Sequence, residues 1–104
     1  MSAIQRSAEA ADNSVFLRGR LADEPLDKLL PSGDLLTVFR LIVARPPTER
    51  VLVDTIECVT ARSRPRRLLA KARPGDVVEV EGSLRRRFWR APNGPLSWVN
   101  RLSA

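Results

Sequence analysis

One stretch constrains this chain more than any other. From Asp76 to Trp89 the side chains alternate, with Val78, Val80, Gly82 and Leu84 on one face and Glu79, Glu81, Ser83, Arg85, Arg87 and Trp89 on the other. A period of two belongs to an extended strand with one covered face. Gly82 in mid-strand marks a bend. Such a strand offers backbone donors and acceptors along both edges, so the rest of the chain has to supply its partners.

Three earlier segments can do so. Ser14 to Leu21 sets Val15, Leu17, Gly19 and Leu21 against Phe16, Arg18 and Arg20. After a Pro31-Ser32-Gly33 turn signal, Leu35 to Ala44 sets Phe39, Leu41 and Val43 against Arg40. Arg50 to Val59 is rich in β-branched residues, with Leu52, Ile56 and Cys58 opposing Val51, Val53, Thr55 and Glu57. Both of its faces are partly apolar, which leaves its orientation open. Between Ser63 and Ala72 the rhythm changes: Pro65 suits a first helical turn, Leu68, Leu69 and Ala72 share one side, and Pro74-Gly75 ends a short helix. Past the long strand, Pro92-Asn93-Gly94-Pro95 turns the chain back into a last strand from Leu96 to about Leu102. Three strands, a short helix and a hairpin predict an all-β OB-fold, a five-stranded Greek-key barrel with one helix between its third and fourth strands. The barrel occupies residues 13–104, and the small, polar residues 1–12 read as a flexible arm.

The chemistry open to such a chain is narrow. Its 104 residues suffice for one modest core. No apolar run approaches the roughly 18 to 20 residues of a membrane span, no secretory signal opens the sequence, and a cytoplasmic, nucleoid-associated location is expected. There is no histidine, no cysteine pair and no Gly-rich phosphate loop, so neither catalysis nor a metal or cofactor is expected. The lone Cys58 lies in an apolar run and reads as a buried structural thiol. Charge points further. Ten basic residues (Arg62, Arg64, Arg66, Arg67, Lys71, Arg73, Arg85, Arg86, Arg87, Arg90) face three acidic ones (Asp76, Glu79, Glu81) from Arg62 to Arg90, whereas the rest is nearly neutral. That asymmetry suits a polyanion binder, although sixteen arginines among eighteen basic residues also suit an arginine-rich surface with no partner.

Asn13-Ser14-Val15-Phe16-Leu17-Arg18-Gly19-Arg20-Leu21, followed by Pro25 and Pro31-Ser32-Gly33, resembles the opening of bacterial single-stranded DNA-binding proteins. Arg73 to Trp89 resembles that family's fourth strand, with its glycine bend, the basic residues beyond and the hairpin tryptophan. The resemblance implies sequence-independent binding of single-stranded DNA by a dimer or a tetramer of paired dimers, with no enzymatic activity. Phe16, beside Arg18 on the polar face, is then an expected oligomer-interface residue. Candidate nucleic-acid contacts are Arg18, Arg20, Arg40, Arg45, Arg62, Arg85, Arg87, Trp89, Arg90 and Trp98. Arginines would neutralise phosphates and aromatic rings would stack on bases. A packed hairpin anchor is the other reading of Trp89, and Trp98 fits either core or groove.

Two departures stand out. Typical members carry more aromatic residues where the second strand ends and in the third, whereas Arg45-Pro46-Pro47 and Thr55 to Ala61 stand here. The resemblance also implies an acidic tip that recruits replication and repair enzymes, and with the sequence ending at Ala104 no such recruitment is expected. Two other readings accompany the DNA binder: a replication-restart accessory resembling the primosomal replication protein B family, and an OB-fold protein-interaction module.

Overall fold

A computed structural model describes residues 4–8, 10–90 and 96–104, with side chains at all of these except 87–90 and 96–101. Among them the chain forms β1 (Val15–Leu21), β2 (Leu26–Leu29), β3 (Leu35–Ala44), β4 (Val53–Thr60), α1 (Ser63–Lys71), β5 (Val77–Arg90) and β6 (Leu96–Ser103). The strands neighbour one another in the order β1-β5-β6-β4-β3-β2, and β1 also pairs with β3. That last pairing closes β1, β5, β6, β4 and β3 into the expected five-stranded barrel. All ladders are antiparallel except β4 with β6, where Cys58 faces Leu102 and Val59 faces Ser103.

The core follows the alternation read from the sequence. Leu21, Phe39, Leu41, Cys58, Leu69, Val80 and Leu102 are buried, with Val15, Leu17, Val43, Ile56 and Val78 packed against them. Cys58 is indeed an interior thiol, and burial pushes its pKa up to about 12. The ambiguous third segment turns its Ile56, Cys58 and Thr60 face inward, and the strand runs Val53–Thr60 instead of Arg50–Val59. Two further expectations need correcting. Leu68 does not share the buried side of α1 with Leu69, because a helix seated across a barrel end buries a narrow stripe, and Leu68 stays 66% exposed. Leu84 lies 53% exposed, since β5 has by then passed the barrel wall.

A sixth strand, β2, was not expected. It pairs with β3 from Leu26↔Val38 to Leu29↔Leu35. All four of its residues are exposed, so it carries no burial rhythm to read. Its turn is the one signalled by Pro31-Ser32-Gly33: Gly33 donates its N–H to the Leu30 carbonyl and adopts φ 92°. A second glycine turn locks the barrel floor. Arg73-Pro74-Gly75-Asp76 closes with the Asp76 N–H on the Arg73 carbonyl, Gly75 takes φ 93°, and its N–H reaches the Leu21 carbonyl at 2.8 Å.

Gly82 is where β5 leaves the barrel. A Cβ at this position would collide with the Ser103 carbonyl oxygen, so the crossing of β6 over β5 needs glycine. Just outside, Asn13 extends the β1 ladder with its side chain. Its Nδ2 donates to the Leu84 carbonyl at 2.8 Å while its Oδ1 accepts the Leu84 N–H at 2.9 Å. The segments 4–8 and 10–14 hold no helix or strand, and the first strand starts at Val15 instead of Ser14. No helix among the described residues is long and apolar enough to cross a membrane.

Candidate nucleic-acid interface

The strands that build the barrel also build a ribbon. β5 pairs with β1 from Val77 to Gly82 and with β6 from Ser83 to Arg90, so its second half is a two-stranded arm with β6, tied at its root by the Asn13 side chain. Arg85 stands opposite Arg101 on this ladder, and Arg87, Phe88, Trp89 and Arg90 stand opposite Val99, Trp98, Ser97 and Leu96. Arg85 is exposed, and no carboxylate among the described residues pairs with it. The side chains of Arg87, Trp89, Arg90 and Trp98 and the Pro92–Pro95 turn lie outside the described residues.

The arginines of the barrel wall are in a different state. Arg18 donates to Glu79 at 3.0 Å, across the β1–β5 register that sets these residues opposite each other. Arg40 is hydrogen-bonded to Asp23, and that bond lifts its pKa above the ordinary arginine value. Arg45 grips Asp54 with two hydrogen bonds, Nε to Oδ2 at 2.8 Å and Nη2 to Oδ1 at 2.6 Å, and Glu49 lies 3.9 Å from its third nitrogen. The same fork holds the Asp54 carboxyl below its ordinary value. Arg20 donates to the Gly75 carbonyl at 2.9 Å and braces the floor turn. Arg62, exposed, is the N-cap of α1 and makes no side-chain cap. The expected contacts therefore do not form one patch: three are balanced by carboxylates on the wall, one serves a turn, one opens the helix, and the rest lie along the ribbon.

The outer wall of β3 and β4 lies between these groups. Val38, Arg40 and Ile42 face Val59, Glu57 and Thr55 across it. None of these six is aromatic: Val38, Ile42 and Val59 are aliphatic, and Arg40, Glu57 and Thr55 are polar or charged. Phe16 is 56% exposed on the β1 edge, with the Arg18 guanidinium 5.9 Å from its ring centre. Along β1 the β3 pairing covers only Arg20 and Leu21, which leaves the second edge of Val15–Gly19 unpaired by any described strand. Among the described residues no cluster of three or more His, Cys, Asp or Glu could hold a metal ion. Arg64, Arg67 and Lys71 on α1 count above only toward the basic half of the chain, yet their i, i+3, i+7 spacing puts them on one face of the helix.

A five-stranded barrel with a helix between its third and fourth strands and a long basic ribbon defines an oligonucleotide-binding OB-fold. The single-strand binding protein family model matches residues 12–103. The chain belongs to that family. Among solved structures, a Plasmodium falciparum single-strand binding protein in complex with single-stranded DNA superimposes with a TM-score of 0.77 at 27% identity, covering 93% of this chain and 89% of that one. No curated protein sequence matches the chain. These matches do not favour the restart-accessory or protein-interaction readings.

Proposed function

We propose that this protein binds single-stranded DNA, largely without regard to sequence and without catalysing a reaction, and so protects exposed strands during replication, recombination or repair in the cytoplasm. The observation that carries the reading is the β5–β6 ribbon, which leaves the barrel at Gly82 and displays Arg85 with no balancing carboxylate among the described residues. Along it Arg85, Arg87 and Arg90 supply phosphate contacts, and Trp89 supplies the sequence-tolerant stacking surface. Trp98 is the second aromatic candidate. Arg18, Arg20, Arg40, Arg45 and Arg62 contribute less, because most are already engaged by protein groups.

Titration of tryptophan fluorescence with oligothymidine at two salt concentrations tests this. Trp89→Ala is expected to remove about 1 to 3 kcal/mol of binding with the salt slope unchanged. Arg85→Ala is expected to weaken binding to all sequences alike and flatten the slope by about 0.7. Absence of binding by the parent protein at low salt overturns the reading. The free β1 edge and exposed Phe16 support a homo-oligomer, a dimer or a tetramer of paired dimers. Size-exclusion light scattering should show Phe16→Arg dissociating it; a monomeric parent protein at micromolar concentration rejects it.

A further inference from the structure

Between Arg62 and Gly75 the chain carries Arg62, Arg64, Arg66, Arg67, Lys71 and Arg73 and no carboxylate. Arg66 alone turns inward, its Nε donating to the Thr37 hydroxyl at 3.1 Å beside Asp27. Arg64, Arg67 and Lys71 recur at i, i+3 and i+7, so they share one face of α1; all three are exposed, and none pairs with a carboxylate among the described residues. The helix itself gains nothing from its opening charges. Its first turn holds no acidic residue, and its positive dipole end meets Arg62 and Arg64 instead. Leu68, exposed amid these cations, walls a groove of about 620 Å³ between α1 and the start of β5, with Arg62 and Arg64 also lining it and Val77 among its apolar walls. Glu79 and Glu81 line it too, the first already taken by Arg18.

We infer that the outward face of α1 is a second phosphate-binding surface, engaged by a later segment of the same DNA strand that occupies the ribbon. The inference rests on the single-stranded DNA reading but does not follow from it. Arg85 lies eight residues beyond Val77 on β5, which at about 3.3 Å per residue is roughly 26 Å along the strand. Few phosphates of a very short oligonucleotide seated on the ribbon come near α1, whereas a longer strand brings many there. Negative charge delivered there also relieves the repulsion at the helix start.

The test compares the parent protein with Arg64→Ala/Arg67→Ala/Lys71→Ala on oligothymidines of about 4 and about 30 nucleotides, the shorter at the low end of what one OB-fold covers. The triple variant should bind the short strand as the parent does. On the long strand it should lose on the order of 10- to 100-fold at 0.1 M salt, with a salt slope up to about 2 smaller, since each phosphate contact contributes about 0.7. All three side chains are exposed, so the melting temperature should not fall; Arg67→Gln/Lys71→Gln repeats the test if it does. Equal losses on both lengths, or less than a 3-fold loss on the long strand, overturn the inference while leaving the ribbon reading intact. A parent protein that binds neither strand removes that reading first. Retained long-strand affinity together with lost binding of poly-glutamate assigns the face to acidic protein segments and rejects it as a DNA surface.

Discussion

The barrel wall and the α1–ribbon surface are built from the same residue type and present opposite electrostatic states. On the wall, Arg18, Arg40 and Arg45 each meet a carboxylate, contributed by Glu79, Asp23 and Asp54. On α1 and at the ribbon's root, Arg64, Arg67, Lys71 and Arg85 meet none among the described residues. A polyanion gains most from cations whose fields are not already satisfied. Net charge therefore overstates one region and understates the other. The wall's arginines are tied to neighbouring segments of the barrel, and cations without a carboxylate partner among the described residues stand on α1 and at the ribbon's root.

The junction between the two regions is the place to break this arrangement outright. Gly82→Val puts a side chain into the Ser103 carbonyl, which neither crossing strand can avoid. The expected cost is about 3 kcal/mol or more, a fall in Tm of roughly 12 °C or more by thermal melting. A melt within 2 °C of the parent's, or about that, would show that the crossing is soft and that the ribbon is not rigidly aimed.

Releasing a wall arginine should turn it into a phosphate contact. Asp23→Asn and Asp54→Asn are each expected to raise affinity for a long oligothymidine about 5-fold at 0.1 M salt and steepen the salt slope by about 0.7. Glu24→Gln makes the same charge change without freeing an arginine, and its effect should stay below about 2-fold. If all three variants behave alike, overall charge governs binding and the distinction between wall and ribbon has no consequence.

A smaller effect is expected at Asn13, whose amide ties the N-terminal arm to the ribbon's root. Asn13→Ala forfeits both bonds to Leu84 and should cost about 1 kcal/mol of stability. Oligonucleotide affinity should hold. Loss of affinity without loss of stability would show that this tie orients the ribbon.

Acid should act on the wall last. The Asp54 carboxyl is held below its ordinary value of 3.8 by the hydrogen bonds from Arg45, with their charge attraction adding to the effect. A depressed carboxylate contributes its full stability above the unfolded value and loses it as pH falls through the folded one. Melting curves below pH 3.8 should therefore fall more steeply for the parent protein than for Asp54→Asn. Parallel curves would indicate that the Arg45 fork adds nothing to the fold.

Much of the barrel was legible because its inward residues alternate against polar ones: Val15, Leu17 and Leu21 on β1, and Phe39 and Leu41 on β3, lie where a period of two puts them. β4 resisted, since Val53 and Val59 make its outer face apolar as well. β2 was invisible because hydrogen bonding to β3, and not burial, defines it. The site was less legible for a physical reason. Whether an arginine is free depends on partners far along the chain, Asp23 for Arg40 and Glu79 for Arg18, and residue spacing carries no trace of such pairs. The helical stripe Arg64, Arg67, Lys71 needed no distant partner and could have been read directly.

The closure of the barrel has a kinetic consequence. β3 and β4 share eight register pairs, from Thr37↔Thr60 to Ala44↔Val53, but among the described residues the cylinder is shut by two pairs between β4 and β6 and two between β1 and β3. Unzipping a short seam sacrifices few bonds, so local opening should start there and leave the long ladders standing. The Ala104 amide, bonded to the Val59 carbonyl at 2.8 Å, closes the parallel seam. It should trade its proton with solvent well before the amides inside the β3–β4 ladder. Breathing at this seam should give water a brief passage to the interior beside Cys58 while the long β3–β4 ladder stays paired.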